Sequence, residues 1–125
     1  MRKLGLVLLV LLLLGTVCLE AAPKTKIIVG CYPALDEAYA AIMPAFNKKY
    51  PNIEVEIKSL GFDDHHSTLV TALAAGEGAP DVAALEIAYV AQFVGEGGLV
   101  NLLQAPYNAG RYKGGITPYT WAQGS

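Results

Sequence analysis

The sequence predicts an α/β fold, a parallel β-sheet with helices flanking it, and three observations predict it. Short β-branched or apolar runs alternate along the chain with segments of helical period, an order that requires right-handed crossovers and parallel strands. The third such run, Val82 to Leu85, is apolar without interruption and suits a strand covered on both faces. Around it, residues 65–89 (HHSTLVTALAAGEGAPDVAALEIAY) read as helix, glycine turn, Pro-Asp pair, buried strand and a carboxylate at the strand's end.

Before the first strand comes an export leader. Met1 to Leu19 carries a basic start (Arg2, Lys3) and an apolar run from Leu4 to Val17, the pattern of a secretory signal. The run is 14 residues long, short of the roughly 20 that span a bilayer as a helix. Residues 1–22 are therefore assigned to a signal peptide. Cutting after Ala21 or Ala22 leaves Leu19 or Glu20 three positions back, where a small residue is preferred. Cys18 opens a second reading, a lipidated N-terminal cysteine and so a membrane anchor, although Val17 stands where that signal prefers Gly, Ala or Ser.

The 125-residue chain has a formal net charge of -2, and taking away Arg2, Lys3 and Glu20 with the leader leaves 7 basic against 10 acidic side chains. That balance excludes nucleic acid as a partner. With Cys18 in or beside the leader, Cys31 has no thiol to pair with, so stability falls to the apolar core. Neither a second thiol nor a nearby His supports a nucleophilic or redox role for Cys31.

Thr25 to Val29 (TKIIV) forms the first strand, and Gly30 to Pro33 its exit loop. A helix then opens at Leu35 or Asp36, with Leu35, Ala38, Tyr39, Ile42, Ala45, Phe46 and Tyr50 as its apolar stripe and Lys48 and Lys49 at its end. Pro44 predicts a kink or a fresh first turn. Ile53 to Ser59 (IEVEIKS) alternates as a strand with one wet face, near the sheet edge. Residues 60–64 lead into the next helix, where Leu69, Ala72 and Leu73 share a face; Gly76 closes it and Pro80 prevents it from resuming. Asp81 then stands at the entrance of the third strand, in a structural place suited to accepting backbone donors. Ile87 to Val94 is helical, with Gly95, Gly97 and Gly98 ending it, and Leu99 to Leu103 is a short apolar segment. Residues 104–125 form a turn-rich tail of Pro, Gly and exposed-type aromatics without a period, so the division is 1–22, 23–103 and 104–125.

The three strand ends each carry an aromatic or an acid: Tyr32 and Asp36, Phe62 and Asp63, Glu86 and Tyr89. Such a mixture suits a sugar, whose C–H faces pack on aromatic rings while adjacent hydroxyls donate to carboxylates. Asp36 and Asp63 fit better as acids at helix N-termini than as ligand contacts. The run Asp63-Asp64-His65-His66 reads as a solvated helix start in preference to a metal site, because neighbouring helical positions point in different directions. No cofactor is implied, and GEGGL lacks the Lys-Ser/Thr of a phosphate loop.

In combination, TKIIVGCYP, LDEAYAAIMPAFNKKYPNIEVEI, LVTALAAGEGAPDVAALE and AQFVGEGGLVNL resemble the amino-terminal part of bacterial extracellular solute-binding proteins of family 1, the carbohydrate type that serves ATP-driven (ABC) importers. The similarity covers Thr25 to Leu103. It implies a type II periplasmic-binding-protein fold of which this chain is a partial N-terminal lobe, truncated before the hinge and second lobe. It further implies a non-enzymatic role, a small-molecule and preferably sugar ligand, permease subunits as partners, and a place in the periplasm or on the outer face of the cytoplasmic membrane. Ligand contacts map onto Tyr32, Phe62, Glu86 and Tyr89. Two other classes remain open, a lipid-anchored structural or adaptor domain on the cell surface and a secreted glycoside-processing enzyme.

Overall fold

A computed structural model describes residues 23–124; the assigned signal peptide, its cleavage point, the Cys18 anchor and Ser125 lie outside the described residues. Three parallel strands, β1 (Thr25–Cys31), β2 (Ile53–Ser59) and β3 (Val82–Ala83), form a sheet in the order β2-β1-β3. Four helices accompany them: α1 (Leu35–Lys49), α2 (Phe62–Ala75), α3 (Ile87–Glu96) and the short α4 (Pro118–Gln123), the last preceded by a 3-10 segment over Ala109–Gly115. This is the α/β class expected from the alternation of periods, with β2 at a sheet edge.

β1 pairs along its whole length with β2, from Thr25 opposite Ile53 to Cys31 opposite Ser59, and at Val29 and Gly30 with β3 on its other side, which makes it the central strand. Its side chains alternate, so Ile27, Val29 and Cys31 share one face and Ile28 and Gly30 the other. The Gly30 face receives α2 at close range. A Cβ added to Gly30 would lie 2.9 Å from Pro80 Cγ and 3.3 Å from His65 Cε1, so glycine there is a condition of the approach. Asp81 ties the third strand in: the Ile28 amide donates to its Oδ2 at 2.7 Å. That is the structural acceptor role the sequence suggests. On the β2 side the polar face is laced by Lys26 to Glu56 at 2.6 Å.

Several expectations need correction. Helix α1 does not start afresh at Pro44 but continues through it, and the exposed position leaves the carbonyl deprived of its donor within reach of water. Its covered stripe is Leu35, Tyr39, Met43 and Phe46, all half-buried, while Ile42 is 56% exposed. Helix α2 starts at Phe62, so Asp63 and Asp64 belong to its first turn and Gly61 is the N-cap, without a side-chain capping bond. Strand β3 is two residues long, where four were expected, and Val82 at the edge is 52% exposed, not covered on both faces. Gly95 lies inside α3, and Gly97 is its C-cap. Gly76 does take the left-handed conformation, φ 72, and closes α2 by donating to the carbonyls of Ala72 and Leu73.

Among the described residues the buried apolar side chains are Cys31, Leu69 and Phe93, and the buried polar ones are His65 and His66. The two imidazoles thus make up a large share of a small core. This overturns the reading of His65 and His66 as a solvated helix start. They extend the Leu69–Ala72–Leu73 stripe backwards by helical steps, so the fold that covers Leu69 covers them as well.

Candidate functional site

The carboxyl ends of the three strands converge on a cluster of rings. Tyr32, just past β1, lies edge-on to Phe62 at the start of α2, with ring centroids 5.0 Å apart at 71°. Phe62 in turn meets Tyr89, in the first turn of α3, at 6.0 Å. His66 fills the space between them: its centroid is 4.8 Å from Phe62, 5.4 Å from Tyr32 and 4.0 Å from Tyr89, stacked on the last at 15°. His65 stands 5.7 Å from Tyr32. Offset and edge-to-face contacts of this kind hold rings at fixed mutual angles.

Each ring is there for a local reason. Leu60 donates to the carbonyl of Cys31, so β1 and β2 release their chains side by side, which brings Tyr32 and Phe62 together. The third ring depends on the chain after β3. Ala84 still donates to Gly30 O at 2.9 Å, but beyond it imidazoles replace the ladder: His65 Nε2 donates to Ala84 O at 2.8 Å, and the Glu86 amide donates to His66 Nε2 at 3.3 Å. These bonds are why β3 stops early. Glu86 then becomes the N-cap of α3, its carboxylate accepting from the Ala88 amide at 2.7 Å. One such bond uses one of about four acceptor positions on a carboxylate.

Of the residues singled out in the sequence, Tyr32, Phe62 and Tyr89 are in ring contact, and Glu86 shares their rim through His66 and Tyr89. Phe62 is 39% exposed, and Tyr32, Glu86 and Tyr89 are half-buried. Burial pushes the Tyr32 phenol above the ordinary tyrosine range, and the charge of Glu86 adds to the effect. Asp36 sits in the first turn of α1, where the Ser59 hydroxyl and the Glu37 amide (2.8 Å) hold its carboxyl below the usual range. Asp63 is exposed on the first turn of α2. Burial raises the Cys31 thiol, which suits an inert core residue. No group of three or more His, Cys, Asp and Glu among the described residues is arranged to hold a metal ion.

The family model of bacterial extracellular solute-binding proteins matches residues 32–124. The chain belongs to that family. The match takes in the tail beyond Leu103, farther than the quoted motifs reach. Solved structures agree on the fold. A family 1 extracellular solute-binding protein from Alicyclobacillus acidocaldarius is 32% identical, with a TM-score of 0.57 over 70% of this chain and 22% of that one. An ABC substrate-binding protein from Listeria monocytogenes, in complex with cycloalternan, is 27% identical, with a TM-score of 0.61 over 78% of this chain and 24% of the other. An ABC transporter solute-binding protein from Thermotoga lettingae, bound with alpha-D-tagatose, is 26% identical, with a TM-score of 0.62 over 80% and 26%. This chain therefore spans about a quarter of the length of these relatives.

Proposed function

We propose that this chain supplies one wall of a sugar-binding cleft in an exported receptor that delivers its ligand to the permease of an ATP-driven importer. The observation that carries the reading is the rim itself: Tyr32 and Tyr89 each against the Phe62 ring at the carboxyl ends of parallel strands, with Glu86 opening the helix that carries Tyr89. Crevices outside the carboxyl ends of strands are where open α/β sheets take ligands. Ring faces offer apolar ground to a pyranose, and a carboxylate accepts from its hydroxyls. Relatives bound with cycloalternan and with tagatose support the ligand class. In this reading residues 23–103 are part of an amino-terminal lobe, residues 104–125 lead toward a hinge, and Asp36 and Asp63 are outlying contacts. Residues 1–22 direct export to the periplasm or the outer face of the cytoplasmic membrane, with Cys18 as a candidate anchor. No helix among the described residues is long and apolar enough to cross a membrane.

A single wall buries only part of a sugar's surface, so affinity should be weak. Calorimetric titration of this chain with cycloalternan and with tagatose should give dissociation constants of about a millimolar or weaker, near -4 kcal/mol. The double variant Tyr32→Ala, Tyr89→Ala should remove what binding there is. Micromolar affinity contradicts the one-walled geometry, and binding indifferent to both tyrosines contradicts the rim.

A further inference from the structure

We infer that His66 is a positioning residue, holding Glu86 and Tyr89 in their places on the ligand-facing rim; the inference rests on the sugar-rim reading. His66 is 1% exposed, so it does not meet solvent, and both of its ring nitrogens are engaged. Nδ1 donates to Phe62 O at 2.8 Å and Nε2 accepts from the Glu86 amide at 3.3 Å. The two bonds together specify one tautomer, with the proton on Nδ1. One face of the ring stacks on Tyr89 at 4.0 Å. A side chain that only filled space would need no oriented nitrogens. This one joins the first turn of α2 to the first residues of α3 at the point where β3 has run out of ladder partners, and the chain there carries both the acid and the third ring.

Two substitutions separate the parts of this role. His66→Phe keeps a ring against Tyr89 and fills the same space, but it removes both polar bonds. His66→Gln gives up the ring and places an amide oxygen where Nε2 stood, restoring an acceptor for the Glu86 amide. Two readouts are taken on the whole chain: hydrogen exchange at the Glu86 amide against amides of the β1–β2 ladder, and NMR-monitored titration with cycloalternan. In His66→Phe the Glu86 amide should exchange about ten-fold faster while the ladder amides are unchanged, and His66→Gln should recover most of that protection. Affinity for cycloalternan should fall about five-fold in His66→Phe and partly return in His66→Gln. Equal acceleration at Glu86 and in the ladder, or a Glu86 amide and an affinity unmoved in His66→Phe, overturns the inference. If the unsubstituted chain shows no cycloalternan-induced shifts, the sugar reading fails, and Glu86 exchange still decides for or against His66 as the residue that sets the rim.

Discussion

Asp81 shows how a residue's role can be read in sequence while its partner cannot. A Pro-Asp pair at the entrance of a strand marks a backbone acceptor on local grounds alone, but the donor it serves, Ile28, is 53 positions away and enters only through the parallel register of β1 and β3. Asp81→Ala strands that amide at the sheet surface and should cost about 1–2 kcal/mol of unfolding free energy in a denaturant titration, with Asp81→Asn costing less. Asp36 illustrates the electrostatic case. Its carboxyl is held below the ordinary value of 3.8 by the Ser59 hydroxyl first and by backbone amides second. The folded chain therefore favours the charged form, so the contribution is complete above the unfolded value and is lost as pH falls through the folded one. Stability followed from about pH 5 down to pH 2 should show this acid loss, and Ser59→Ala should shrink it. An acid limb unaffected by Ser59→Ala would contradict the assigned cause.

At the scale of elements, the strongly periodic segments were legible and the segment held by side chains was not. The apolar stripe of α2 announces itself in Leu69, Ala72 and Leu73, and Gly76 marks its end, both as observed. Stepping the same stripe back by three and four reaches His65, His66 and Phe62. The signal for the ring cluster was thus present in the spacing, hidden by the polarity of histidine. The length of β3 was beyond reach for a related reason: Ala84 and Glu86 find imidazole partners, and nothing local in VAAL says so. The approach of α2 to the sheet depends on Gly30, where a methyl group would meet Pro80 at 2.9 Å. Gly30→Ala should lower stability by about 1–3 kcal/mol and loosen the contacts of His65, measurable as faster exchange along α2. An unchanged melting profile would show that the Pro80 loop yields without cost.

For the whole molecule, the notable imbalance is between a small core and a long run of apolar surface. Val94, Val100 and Tyr119 are 67%, 61% and 73% exposed, and the β3 edge presents Val82. The turn-rich tail of the sequence is partly ordered into a 3-10 segment and α4, yet its tyrosines stay on the surface. Exposed apolar patches and an open strand edge favour association. Light scattering on the isolated chain should show mass rising with concentration, whereas a monodisperse, cooperatively melting monomer would contradict that expectation. The receptor reading itself turns on where a sugar touches. Intermolecular nuclear Overhauser effects between cycloalternan and this chain test it most directly: contacts from the C–H faces of the sugar units to the ring protons of Tyr32, Phe62 and Tyr89 are expected, and contacts confined to the tail, residues 104–124, would contradict the reading.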